Sequence, residues 1–311
     1  MIKRVDQSQP LVSIGILSYN RAYKIGKTIE SILNQNYGNL EILISDDAST
    51  DGASCICRKY IEKDKRIILF EHENNIGPYN NYEFLVKQSK GKYFMWMSDD
   101  DELKPNIIHR YVEFLERNTE YNLVCGQIQY WKNGLLKYVE KDLSQENDNK
   151  LFRVLGYYSK VSHGAIFYGL MRRVHLKNVK FLKNKLAGDW HVVAHMAYLS
   201  KIKQLDFVSI NKNSGGFSAN WEKYAEIVGA SKISSKLHHF VIGLDTLNDI
   251  MHNSRIYNSE NKIERFIVGL LSCMAIWTKY YVLTYPKIIG GKIKRFFLLS
   301  IDRKDLNKLQ A

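Results

Sequence analysis

The segment Tyr93-Phe94-Met95-Trp96-Met97-Ser98-Asp99-Asp100-Asp101 carries an uncharged, aromatic-rich run straight into three consecutive carboxylates. Short, apolar and bounded by polar residues, the run reads as a buried strand. Carboxylates crowded at a strand end repel one another, which costs stability unless solvent or a cation offsets the charge. Hard oxygen ligands of this kind suit Mg2+ or Mn2+, ions that commonly hold substrate phosphates. An acidic turn capping the next helix is the competing reading, because Pro105 stands where a first helical turn would begin. On this segment alone both readings stand.

Upstream, the chain alternates between two periods. Val12 to Ser18 is an apolar strand ending on Ser18-Tyr19-Asn20-Arg21, after which Ile25, Thr28, Ile29, Ile32 and Leu33 recur at helical spacing as far as Asn36. Leu40 to Ser45 is a second strand, ending on Asp46-Asp47-Ala48-Ser49-Thr50-Asp51-Gly52. A helix over Ala53 to Lys63 and a strand at Ile67 to Phe70 follow. Beyond Asn75-Ile76-Gly77-Pro78 a helix runs to the region of Ser89, and Gly91 leads into the aspartate-bearing strand. Four strands alternating with helices predict an α/β fold with parallel pairing and right-handed crossovers. Ligands of such sheets bind beyond the C-terminal strand ends. Three of those ends carry polar clusters: Ser18-Tyr19-Asn20, Asp46-Asp47 and Ser98 to Asp101. Each could be a helix cap on its own; together they describe one crevice.

A chain of 311 residues, 45% apolar, fits one large domain or two smaller ones with a sizeable core, and 4 Pro with 19 Gly argue against long linkers. Cys55, Cys57, Cys125 and Cys273 show no metal-ligand spacing and read as buried reduced thiols of a cytoplasmic protein. Met1 to Pro10 is polar and the apolar run Leu11 to Leu17 is too short to span a bilayer, so no secretion signal is expected. The net charge of +13 calls for an anionic partner: nucleic acid, anionic lipid or a phosphorylated substrate. No helix-turn-helix, zinc-finger or RNA-recognition signature is present, and nucleic acid is not expected.

With those segments in view, a resemblance emerges. Val12 to Arg21, Ser31-Ile32-Leu33-Asn34-Gln35-Asn36-Tyr37, Glu41 to Asp51 and Gly91 to Asp101 resemble the inverting family-2 glycosyltransferases of the GT-A fold, strongly from Leu11 to about Gln127 and more weakly to about Ser218. The resemblance implies a GT-A-type, Rossmann-like, mainly parallel sheet flanked by helices over 1–218, with a helical region over 219–311. It implies a nucleoside-diphosphate sugar donor, UDP-linked by expectation. Ser18, Tyr19 and Asn20 would line the nucleotide pocket, Asp46 would accept a hydrogen bond from the base, and Asp99 would face the ribose. A carboxylate accepting from a ring N–H makes a strong charge-assisted bond. The family's Asp-any-Asp metal motif aligns with Ser98 at its first position and Asp100 at its second, so the chain departs from the pattern at Ser98. Asp100 and Asp101 are the candidate ligands of Mn2+ or Mg2+. Many relatives place a diphosphate-contacting arginine after the glycine of Asn75-Ile76-Gly77-Pro78; here Tyr79, Asn80, Asn81 and Tyr82 stand instead.

Inversion requires one in-line displacement, with a general base on the acceptor side distinct from the metal group. Asp189, in Ala187-Gly188-Asp189-Trp190-His191, is the candidate base, because the family often carries its base as an acid opening a helix after a glycine. A helix N-cap would use the same residue. His163 and His191 are candidates for the acceptor side, while His191 and His195 have the i,i+4 spacing of metal-ligating histidines on a helix, or else one faces the site and the other packs or is solvated. The loop Asn213-Ser214-Gly215-Gly216-Phe217-Ser218 either folds over a donor or merely connects.

From Ala219 the pattern is helical. Lys279 interrupts the apolar run from Phe266 to Leu283 and Pro286 closes it, which argues against a spanning helix. From Phe266 onward eight Lys/Arg face two acids, a mixture that suits an amphipathic surface helix on anionic lipid, or else helix packing or a homo-oligomer contact. The expected setting is bacterial surface-polysaccharide or glycoconjugate assembly on a saccharide or lipid-linked saccharide acceptor, in the cytoplasm or peripheral on the inner face of the cell membrane. A sugar nucleotidyltransferase is the rival, although the first turn lacks the Gly-rich phosphate loop of that class; a non-catalytic carbohydrate-binding protein of the same fold is another.

Overall fold

The computed structural model describes residues 9–213, 220–253 and 255–284. The N-terminal segment before residue 9, the Ser214 to Ser218 part of the Gly-Gly loop and the basic tail from residue 285 lie outside them.

The first half forms as its periodicity predicts. Strands β1 (Val12–Ser18), β2 (Leu40–Asp46), β3 (Ile67–Glu71) and β4 (Tyr93–Ser98) alternate with helices α1 (Ala22–Leu33), α2 (Ala53–Lys63) and α3 (Pro78–Gln88). They pair in the order β3-β2-β1-β4, all parallel. Every residue of β2 is buried, as expected for a strand covered on both faces. Register levels the strand ends: Ser18 lies opposite Asp46, and Leu17 opposite Ser98. The far end of the sheet is pinned by the buried Glu41 carboxylate, which accepts from the Ser13 hydroxyl and from the N–H groups of Lys90 (2.5 Å) and Gly91 (3.2 Å). A side chain at Gly91 would sit 2.6 Å from Ser13 Oγ, so β4 can enter only through glycine.

The second half extends this sheet in a way the sequence does not announce. After β5 (Glu102–Leu103) and α4 (Ile107–Arg117) come β6 (Tyr121–Lys132), β7 (Leu135–Val139), α5 (Lys150–Lys160), β8 (Leu170–Arg172), α6 (Arg173–Leu176), α7 (Gly188–Leu199) and β9 (Lys201–Asn213). The described residues form a nine-stranded sheet in the order β3-β2-β1-β4-β8-β6-β9-β5, with β7 paired to β6. The β4–β8, β8–β6, β9–β5 and β6–β7 pairs are antiparallel, and β6–β9 is parallel. The acidic turn is therefore not a helix cap: β5 intervenes, and α4 begins at Ile107 behind Asn106.

The described C-terminal part is helical: α8 (Trp221–Val228), α9 (Lys232–Lys236), α10 (His238–Asn248), a π-helical turn Asp249–Asn253, and α11 (Lys262–Trp277), continued by a π turn to Thr284. Asn261 and Glu264 start α11 with a reciprocal capping box. Lys279 does not break this helix as expected: Lys262–Thr284 runs on for 23 residues, long and apolar enough to cross a bilayer by length and composition, with 33% of its most apolar window buried. Its Lys279 ammonium is absorbed by the carbonyls of Lys160 and Val161 at the end of α5. Three cysteines are buried as expected, whereas Cys55 is exposed on α2.

Candidate active site

The ends of β1, β2 and β4 lie level at one edge of the sheet. Ser18 is buried there. Tyr19 projects into solvent while its N–H donates to Asp99 Oδ2 at 3.2 Å. Asn20 adopts φ 53°, and its N–H donates to Ser49 Oγ at 3.0 Å. Ser49 in turn donates from Oγ (2.6 Å) and N–H (3.1 Å) to the two oxygens of buried Asp46. Ser18, Tyr19, Asn20, Asp46 and Asp99 are thus brought together. Asp47, which sequence reasoning left without a role, accepts from the N–H groups of Ile76 (2.7 Å) and Gly77 (3.2 Å) and so fixes the loop that opens α3.

The three aspartates diverge. Asp99 is buried, and burial, with Asp100 adding to it, pushes its carboxyl up to about 7 against the Tyr19 N–H and Arg21. Asp100 accepts from Ser98 Oγ at 2.8 Å and lies 3.5 Å from Lys24 Nζ. Asp101 turns away: it is buried, ion-paired with Lys212 of β9, and accepts the Asn213 N–H at 3.2 Å. Burial works against the Lys212 charge, yet Asp101 outweighs it and holds the ammonium above its usual range. Asp101 therefore acts as a strut between β9 and the turn, with Lys212 paired to the carboxylate that was expected to ligate a metal. Among the described residues no three His, Cys, Asp or Glu side chains are grouped to hold a metal ion. What fits a divalent cation is the Asp99–Asp100 edge, where two hard carboxylates crowd and one is held toward neutrality by that crowding and burial.

Asp189 stands across Lys212 from this turn. It is the second residue of α7, which opens behind Ala187 in the left-handed region at φ 54°. Asp189 is half-buried, and Gly164, at φ +68°, packs against it so closely that a Cβ there would meet its Oδ2 at 2.7 Å. Burial pushes the Asp189 carboxyl from 3.8 up to about 7, with the N–H groups of Trp190 and Asp189 and the Lys212 charge opposing. Tyr79, Tyr82, Tyr157, Tyr168 and Tyr224 all lie near enough for its charge to disfavour their ionisation. Tyr79, which stands just past the glycine in the loop before α3, buttresses this helix start: its hydroxyl donates to Lys185 O (2.8 Å) and accepts from Gly188 N–H (3.1 Å). The buried Glu140 is raised to about 7 by the same burial, with Asp189 adding to it.

The histidines part company. His163 is exposed on the loop that precedes Gly164, 3.1 Å from Ser162 Oγ and with its ring centroid 4.6 Å from that of Tyr138, at the mouth beside Asp189. His191 is fully buried on the other side of α7, with Nδ1 2.9 Å from Ala187 O and Nε2 3.3 Å from Thr246 Oγ1. Two positions after Asp189 on a helix is about 200° of rotation, so the acceptor-side expectation for His191 is corrected. His195 is paired inside the protein with Asp249 at 2.7 Å, and neither i,i+4 histidine faces the site. Lys212 was missed; its one sequence signal is a lone cation at the end of a strand just before the Gly-Gly loop.

Residues 13–180 match the family model described as Glycosyl transferase family 2. An uncharacterized glycosyltransferase of Haemophilus influenzae is 36% identical over 145 residues, 41% of this chain and 45% of that relative. The chain spans about half or less of the length of the first curated relatives it matches. The UDP-Glc:alpha-D-GlcNAc-diphosphoundecaprenol beta-1,3-glucosyltransferase WfaP of Escherichia coli is 27% identical over 251 residues, 75% of this chain and 91% of that protein. Among solved structures, S. aureus TarS 1-349 in complex with UDP-GlcNAc superposes with a TM-score of 0.64 at 18% identity, over 87% of this chain and 73% of that one, a likeness of fold.

Proposed function

The chain belongs to glycosyl transferase family 2, and from that premise we propose that it transfers a sugar, with inversion, from a UDP-linked donor to a hydroxyl of a lipid-linked saccharide. The observation that carries this reading is the Asp189 carboxyl, raised to about 7 within a tyrosine-lined recess and facing the acidic turn across Lys212. A base poised near neutrality accepts a proton most effectively under cytoplasmic conditions. Asp189 takes the acceptor hydroxyl proton, the freed oxygen attacks the anomeric carbon, and the anomeric C–O bond to the diphosphate breaks with its electron pair on the departing oxygen. Ser18, Tyr19, Asn20 and Asp46 hold the nucleoside, and Asp99 faces the ribose. Asp100, with Asp99 beside it, would hold Mn2+ or Mg2+, an ion that would supply counter-charge to the leaving diphosphate. Lys24, 3.5 Å from Asp100, and Lys212 add positive potential where relatives use an arginine. His163 lies on the acceptor rim.

In this reading 1–218 is the catalytic unit and 219–311 shapes the acceptor side. The lipid-linked substrate of the E. coli relative supports a membrane-borne acceptor in bacterial glycoconjugate assembly. The test is a panel of UDP-, GDP- and dTDP-sugars assayed with Mn2+ for nucleoside diphosphate release. Release from a UDP-sugar, lost in Asp189→Asn with donor binding retained, is the expected result. Silence across the panel, or formation of a nucleotide sugar from sugar phosphate, would overturn the proposal.

A further inference from the structure

Among the described residues, the C-terminal helices present an exposed apolar face. On α11, Ile263, Phe266, Ile267, Leu270, Leu271 and Met274 recur at helical spacing and are exposed, Ile263 by 72% and Phe266 by 48%. On α10, Leu237 at its N-cap, Phe240 and Leu244 follow the same rule. The two helices pack tightly because Gly243 and Gly269 lack side chains: a Cβ would collide with Trp277 Nε1 at the first and meet Leu247 Cδ1 at 2.8 Å at the second. Phe240 stacks on Trp277 at 4.6 Å, and Trp277 Nε1 donates to Phe240 O at 3.1 Å. The pair thus forms one rigid ledge, where an exposed contiguous patch of this kind marks an interaction surface.

Charge selects the occupant. Between Arg265 and Asp302 the sequence holds no acid, but beyond Lys279, whose ammonium is taken up inside the protein, it holds Lys287, Lys292, Lys294 and Arg295. An apolar face whose own chain continues into cations alone complements an anionic bilayer. Position agrees. The helix continues to Tyr280, whose ring stacks 6.3 Å from that of Trp190, the residue after Asp189, and whose hydroxyl donates to Val161 O at 3.3 Å beside the His163 loop. The ledge and the acceptor mouth are joined by this contact.

We infer that the α10–α11 ledge lies in the plane of an anionic membrane, with its apolar face in the outer acyl layer, and so presents the polar end of a lipid-linked acceptor to Asp189. The orientation is in-plane because α11 is held along α10 and α5, contacts a spanning helix would lose. The inference rests on the lipid-linked reading of the acceptor. Its test is co-sedimentation of the full chain with vesicles of phosphatidylcholine alone or with roughly 30% phosphatidylglycerol, using Ile267→Glu/Leu271→Glu as the variant. Both sites are exposed, and circular dichroism checks that the variant folds. Wild type should bind the anionic vesicles, and the variant should bind about ten-fold or more weakly, with turnover of a water-soluble acceptor analogue unchanged. Equal partitioning of the two proteins overturns the inference. So does a wild-type dimer in sedimentation velocity that the variant dissolves without any vesicle binding. Vesicle binding without sugar transfer would leave the ledge standing and remove the transferase reading; transfer without vesicle binding would do the reverse.

Discussion

Replacing Asp189 with Asn should make the protein more stable and nearly inactive, and the two effects share one cause. The carboxyl sits at about 7 in the folded chain against an ordinary 3.8. Keeping it ionised in that recess costs about 2–4 kcal/mol, the smaller figure allowing for its partial exposure. Below 3.8 the acid is neutral in both states and the cost is absent. Between 3.8 and 7 the unfolded chain gives up its proton first, so stability falls as pH rises, and above 7 the full cost is present. Asn is neutral throughout. Denaturant unfolding should therefore show the variant ahead of wild type at pH 8, with the gain shrinking as pH drops through 7 and gone below 4. Transfer by wild type should rise about ten-fold per pH unit up to 7 and then level, and the variant should lose about 10²–10⁴-fold. A variant less stable than wild type at pH 8 would mean that Asp189 serves the helix N-terminus and not the chemistry. Near-normal transfer would remove it as the base.

Asp100→Ala should weaken donor binding in Mn2+ and bring it to the level wild type shows with chelator; titration calorimetry with equal affinities in all four conditions would refute the metal assignment. Lys212→Ala leaves Asp101 buried without its cation and should cost about 3–5 kcal/mol in denaturant unfolding, largely relieved by adding Asp101→Asn. No relief in the double variant would mean that the pair does not carry the strut. Gly164→Ala forces a Cβ into Asp189 Oδ2 at a positive φ, and should lower kcat more than it raises the KM for donor; unchanged kcat would show that the loop yields freely.

The parallel half of the fold was legible because β1, β2 and β4 are buried along nearly their whole length and α1 carries a clean apolar stripe of Ile25, Thr28, Ile29 and Ile32. Val12 to Ser18 and Tyr93 to Ser98 declare themselves, and so do the polar ends that the register brings level. The antiparallel half was not legible: β5 has two residues and β8 three, too few to show a period, and their places are set by partners far along the chain. The same non-locality explains the site. Ser18, Tyr19, Asn20, Asp46 and Asp99 adjoin because the parallel register of β1, β2 and β4 levels their ends, which the alternation of strands and helices foretells, whereas Asp101 could not be separated from its neighbours until Lys212 was seen to claim it. His191 misled because a buried histidine satisfied by Ala187 O has the same letter as one that faces a substrate.

The strut between Asp101 and Lys212 also orders events in time. A chain made from its N-terminus reaches the acidic turn and β5 more than a hundred residues before β9 exists. At about 5–20 residues per second, that leaves the turn without its cation for roughly 5–20 s. Through that interval β1 to β4 are complete, but the β4 edge is bare until β8 is made and the β5 edge until β9 follows, and Asp101 must remain hydrated. The nascent half-protein is thus an open sheet carrying its own acidic gatekeepers, and those charges shield it from pairing with neighbouring chains until β9 arrives.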